Sequence, residues 1–146
     1  MNPLDGLLYG FGVCANPNNL LAVIAGSIIG TLIGILPGIG PVGTMALLLP
    51  VTLGMRPETS LIMLAGIYYG SMYGGSTTSI LVNVPGESTS VITCIEGYQM
   101  AKKGRAGAAL AISAVGSFIA GSLGLVLLMF FAPLLASSAL HFGPCA

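Results

Sequence analysis

A proline–glycine break inside a lipid-like apolar run constrains this chain more than any other feature. Leu20 to Leu53 is apolar enough to lie in a bilayer, yet it is interrupted at Leu36-Pro37-Gly38-Ile39-Gly40-Pro41. Proline removes backbone donors and glycine loosens the helix, so several N–H and C=O groups near residues 36–41 lose their intrahelical partners. Each such orphan costs several kcal/mol in hydrocarbon, and irregular backbone survives there only when buried in protein or lining a polar cavity. Broken membrane helices are where carriers hold substrates and coupling ions, so the break points toward transport.

Composition agrees with a membrane setting. The chain is 55% hydrophobic and 5% charged, against roughly a quarter charged for a soluble domain. Formal net charge is zero and there is no basic tract, which excludes the electrostatic footprint of nucleic-acid binding. Asp5 precedes the first long apolar run without any Lys or Arg, so no cleaved leader is expected. Cys14, Cys94 and Cys145 are scattered and lack C-x-x-C spacing, and they are expected to be buried thiols rather than disulfide or zinc ligands. Enzyme signatures such as H-E-x-x-H and G-x-S-x-G are missing, and the single His141 has no neighbouring catalytic partner and reads as interfacial. The protein is therefore not expected to be an enzyme.

The whole chain, 1–146, reads as one all-α integral membrane domain: a polytopic helical bundle with discontinuous or re-entrant helices. Residues 1–19 are expected to form an interfacial segment ending at Asn16-Pro17-Asn18-Asn19, a turn that can start a helix. Residues 20–95 hold the broken membrane helices. Leu20–Leu36 is about the lower limit for a crossing, and Val42–Leu53 is long enough for about half a membrane. The pair is either a crossing plus a half-helix or one long kinked helix. Ser60–Tyr73 is apolar again, and a second irregular region is expected at Gly74–Thr93. Residues 96–106, with Lys102, Lys103 and Arg105, read as a water-facing loop on the cytoplasmic side by the positive-inside rule. Residues 107–135 supply the longest uninterrupted transmembrane helix, closed by Pro133. The side of the Arg56 turn stays open.

Small residues recur every four positions at Gly26, Gly30, Gly34 and Gly38, at Gly66, Gly70 and Gly74, and at Ala109, Ser113, Ser117 and Gly121. That spacing puts them on one helix face, where backbones approach closely in the absence of a hydrophobic drive between helices. These stripes should face protein.

Two constellations carry chemistry. Gly38-Ile39-Gly40-Pro41-Val42-Gly43 fits G-x-G-x-x-G, but a dinucleotide fingerprint needs a soluble strand–turn–helix; no nucleotide cofactor is expected. Gly38 and Gly40 instead offer backbone N–H groups at a half-helix N-terminus, whose dipole favours an anion. The second stretch, Gly74-Gly75-Ser76-Thr77-Thr78-Ser79 followed by Asn83-Val84-Pro85-Gly86-Glu87-Ser88-Thr89-Ser90, places seven hydroxyls and one carboxamide around another Pro-Gly break. Ser76, Thr77, Thr78 and Asn83 are candidates to hydrogen-bond a carboxylate, and Ser79 and Glu87 to hold a coupling cation or proton. The alternative is a water-exposed Ser/Thr loop with no ligand, against which the apolar Ile80-Leu81-Val82 argues. Glu87 is either an intramembrane ion site or a carboxylate at an aqueous rim.

With these residues in view, the chain resembles the large membrane subunit of tripartite tricarboxylate transporters, the TctA family. The resembling stretches are GTLIGILPGIGPVGTMALLLPVTLG (Gly30–Gly54), the run from Leu61 to Ala111 that contains YGGSTTSILVNVPG and GYQMAKKGRAG, and the GSFIAGSLG span. The resemblance implies a bacterial inner-membrane, multi-pass secondary carrier for di- or tricarboxylates, driven by Na⁺ or protons. It also implies a small membrane subunit and a periplasmic solute-binding protein as partners. The competing class is a non-transporting scaffold or an inactive truncated fragment. Glu96 stands where family members usually have Asp. Family members are several-fold longer with two related halves, so this chain reads as the N-terminal portion of one half of a two-repeat transporter.

Overall fold

A computed structural model describes residues 3–141. The described residues are helical, connected by short turns: α1 (Pro3–Cys14), α2 (Pro17–Gly34), α3 (Gly40–Thr52), α4 (Pro57–Val82), a short 3₁₀ turn (Ser88–Ser90), α5 (Val91–Lys102) and α6 (Ala106–His141). The chain divides into two compact units, one up to Ser113 and the other from Ala114 onward. The terminal stretch 142–146, with Cys145, and the side chain of His141 lie outside the described residues.

Local chemistry explains the ends of the first helices. Asn16 is extended (φ −62°, ψ 130°) and its side chain accepts from the Asn18 N–H, with Pro17 next in the first turn of α2; this is the preferred way to begin a helix. Pro37 cannot continue α2. Gly38 (φ +91°) and Gly40 (φ +64°) then take the left-handed conformations that turn the chain, and Pro41 opens α3.

The turn reverses the chain. Along α4, Asn19 of α2 meets Thr59 and Ile35 meets Thr78, so α2 and α4 run parallel. Thr44 of α3 meets Ser71, and Thr52 meets Ser60, so α3 runs back antiparallel to α4. The hairpin excludes one long kinked helix.

Glycines set the α2–α4 contact. A Cβ at Gly30 would overlap the Ile67 backbone, one at Gly70 the Ser27 backbone, and one at Gly74 the backbones of Thr31 and Gly34. The two glycine ladders therefore interlock and bring the backbones together. Ala22, Met63 and fully buried Ile67 form the core beside them, covered from α3 by Met45 and Leu48. Thr44 Oγ1 donates to Gly40 O (2.8 Å) and lies 3.1 Å from the buried Ser71 Oγ. Its single proton is already committed, so Ser71 donates to Thr44. In the third ladder Ala109 is buried but Ser117 is exposed.

Four expectations change. Helix α4 does not end at Tyr73 but continues to Val82, so Ser76 to Ser79 are helical and the second break begins at Asn83. The reason is that no proline intervenes before Pro85, while Thr77, Thr78 and Ser79 donate to their own i−4 carbonyls and leave the backbone ladder intact. Residues 96–106, expected as a loop, are instead the last part of α5, the turn at Lys103-Gly104-Arg105 and the start of α6. Gly104 (φ +74°) makes that turn. Finally, α6 runs through Pro133 to His141. Cys14 is exposed and Cys94 half-buried, both unpaired, so neither is the buried thiol expected.

Two helices among the described residues are long and apolar enough to cross a membrane: α2 and the Ala106–Ala132 part of α6. From Ala114 to Ala132, α6 exposes Phe118, Leu123, Leu127 and Phe130. A helix apolar on every face belongs in lipid or in a larger protein core.

Candidate functional site

The two Pro-Gly breaks line one cavity. Gly38 to Val42 of the first break and Pro85 to Ser88 of the second border an open cleft of about 450 Å³, with Val91 of α5 alongside. They meet because both lie at the same end of α4: Thr78 Oγ1 donates to Ile35 O at the end of α2 (3.1 Å) and shares its proton with Gly74 O (3.1 Å). The second break is pressed onto α4 through glycine, since a Cβ at Gly86 would lie 2.5 Å from Gly75 Cα.

The start of α3 lines this space. Helix α3 starts at Gly40, its N-cap Ile39 provides no side-chain acceptor, and Pro41 has no N–H. The first N–H groups of a helix have no intrahelical partner. Among the described residues, that of Val42, which lines the cavity, has no partner elsewhere. The wall opposite carries Glu87, half-buried, and no Lys or Arg lines the cavity. Glu87 is held through its backbone: Ser90 Oγ donates to Glu87 O (2.9 Å) and accepts from Glu87 N–H (3.3 Å). The start of α3 and Glu87 therefore line the same cleft.

Of the residues singled out from sequence, Gly38, Gly40 and Glu87 line this cavity. Asn83 does not. It ends α4 in the left-handed conformation (φ 60°, ψ 30°), a position usually held by Gly and sometimes by Asn. It lines an adjoining cavity of about 470 Å³ with Gln99 and Lys102 of α5. Thr78 and Ser79 are buried, and Ser76 and Thr77 are half-buried on α4; these four line neither cavity. The protons of Thr77, Thr78 and Ser79 are committed to backbone carbonyls, so in this arrangement their oxygens can accept from a donor or a cation but cannot donate to a carboxylate. Thr78 acts on the site by tying the first break to α4. The charges of Lys102, Lys103 and Arg105 predict a loop and so hide Gln99 and Lys102 as cavity residues; the four-residue spacing of Tyr98 and Lys102 is the signal that points to α5.

Residues 20–146 match the tripartite tricarboxylate transporter TctA family. The chain belongs to that family. It is also 57% identical over 143 residues to a protein of Agrobacterium vitis described as an uncharacterized 52.8 kDa protein in the TAR-I ttuC' 3' region. That alignment covers 98% of this chain and 28% of the relative, so the chain spans a little over a quarter of the relative's length. No solved structure matches. Its two helices of membrane-crossing length and apolarity fit membership of that family.

Proposed function

We propose that this TctA chain carries part of the substrate path of a secondary carrier for di- or tricarboxylates. The observation that carries the reading is the meeting of both helix breaks at one cavity lined by the unpartnered start of α3. Backbone N–H groups near Gly38, Gly40 and Val42 would receive a substrate carboxylate, helped by the dipole of α3. Glu87 would hold the coupling Na⁺ or proton, whose positive charge offsets repulsion between Glu87 and the substrate. Thr77, Thr78 and Ser79 keep acceptor lone pairs that suit a cation if α4 rearranges. The α2–α3 hairpin would act as a re-entrant element in a multi-pass inner-membrane protein, with the Lys102–Arg105 turn in the cytoplasm. A small membrane subunit and a periplasmic binding protein would complete the system.

Carboxylate uptake by the complete carrier in proteoliposomes, with and without an imposed Na⁺ or proton gradient, tests this. Gradient-driven uptake that Gly40→Val abolishes is the expected result, because a β-branched side chain at that positive φ strains the turn. Gradient-independent background uptake would instead favour a packing scaffold, a role that the interlocked glycines of α2 and α4 could serve alone.

A further inference from the structure

The cavity next to the break site has the opposite charge. It is an open groove between the end of α4 and α5 with a volume of about 470 Å³, within the roughly 300–1,000 Å³ typical of small-molecule sites. Its polar wall carries the Asn83 and Gln99 amides, the Tyr98 phenol and the Lys102 ammonium, and it contains no Asp or Glu. Lys102 is exposed, and its Nζ sits 4.9 Å from the centre of the Tyr98 ring, within cation–π range. That contact holds the charge against the cavity wall.

We propose that this cavity is a second carboxylate site, with Lys102 as its cation and Asn83 and Gln99 as neutral donors. The proposal rests on the reading of the break cavity as the substrate site. The two cavities share Pro85 and Val91, so one wall separates them. The first presents Glu87 and no basic side chain; the second presents Lys102 and no acidic one. A carboxylate freed from the first when its coupling cation leaves is repelled by Glu87 and attracted across the shared wall by Lys102. Apolar Pro85, Val91 and Ile95 accommodate the carbon skeleton, while the amides bind the second oxygen. Few convergent polar groups on an apolar floor is the usual composition of a ligand site.

Cys94 lines the same cavity and reports on it locally. With Cys14 and Cys145 replaced by Ser in the purified protein in detergent, the rate of Cys94 modification by a small anionic methanethiosulfonate is followed with and without citrate. Citrate binding is measured in parallel by calorimetry. The expected result is protection of several-fold that survives in Lys102→Arg, disappears in Lys102→Gln, and weakens in Gln99→Ala. A neutral reagent should modify Cys94 at the same rate in all these variants, which checks that the cavity is intact. Equal citrate protection in Lys102→Gln overturns the proposal. Citrate heat without Cys94 protection overturns it too, and leaves the break cavity as the site. Neither heat nor protection overturns both readings.

Discussion

Gly75 and Gly86 meet backbone to backbone, so the second helix break rests directly on α4 with no side chain between. Gly86 is buried, and its Cα lies where Gly75 leaves room. The contact fixes how far Pro85 to Ser88 stand from Gly38 to Val42 across the break cavity. Backbone neighbours cannot yield as a flexible side chain can, so Gly86→Ala must displace the break itself. Carboxylate uptake by the Gly86→Ala carrier should fall sharply with membrane insertion unchanged. A variant that transports normally would show that the glycine contact does not set the site.

Thr78 controls the other wall by its bond to Ile35 O. Thr78→Val keeps the shape and removes the hydroxyl, leaving the carbonyl at the end of α2 without this donor. The cost to stability should be about 1 kcal/mol, the usual net value of one hydrogen bond, measured as resistance to unfolding in mixed detergent micelles. Because Thr78 positions the first break and does not line the cavity, the Michaelis constant for carboxylate should rise while Thr78→Ser restores it. Loss of stability with an unchanged Michaelis constant would confine Thr78 to packing.

The parts of this structure that follow from proline, glycine and caps were legible in sequence. Pro37 and Gly38 announce the first break, Asn16-Pro17 announces α2, and the four-residue glycine spacing announces the faces on which α2 and α4 touch. Ser76 to Ser79 misled because Ser and Thr favour turns only when they compete with the helical backbone; here their hydroxyls bond back to carbonyls of the same helix, which leaves helix as the better choice. The charges of Lys102 to Arg105 masked α5 for a related reason. Its helix presents Lys102 over Tyr98 four residues earlier, a same-face pairing that a charge-based loop assignment overlooks. The meeting of Asn83 with α5 depends on long-range packing, such as Ile80 against Gly97, and no local pattern encodes it.

Orientation has a direct test, and the structure improves the choice of position. Gly104 takes φ +74°, so a cysteine there would strain the turn; Lys103 (φ −82°) does not carry this constraint. Lys103→Cys in a cysteine-free background should resist an impermeant maleimide applied outside intact cells, because the basic turn is retained inside. The Arg56 turn begins α4, whereas Lys102 shares a cavity with Asn83 at its end, and 26 residues of α4 span roughly 39 Å at 1.5 Å each. Gly54→Cys, an exposed position with open space around it, then tests whether α4 crosses beside α2: labelling from outside puts the two ends of α4 on opposite faces. Labelling at Lys103→Cys would reverse the assigned topology.

Asn83 has two separable jobs. It ends α4 in a left-handed conformation that glycine adopts freely and alanine does not, and its amide lines the cavity beside Lys102. Asn83→Gly keeps the backbone and deletes the amide; Asn83→Ala deletes the amide and strains the cap by about 1–2 kcal/mol. A hydrogen bond to a charged ligand contributes roughly 1.5–3 kcal/mol, and each 1.4 kcal/mol is about tenfold in affinity. Asn83→Gly should therefore weaken apparent carboxylate affinity about tenfold or more at nearly unchanged stability, and Asn83→Ala should lose both. Asn83→Asp retains a residue tolerant of the left-handed cap but sets a negative charge beside the ligand, so its affinity should fall below that of Asn83→Gly. Paired uptake kinetics and detergent unfolding of the three variants resolve the order. Full affinity in Asn83→Gly would reduce Asn83 to the residue that stops α4 and would remove its amide from the ligand site.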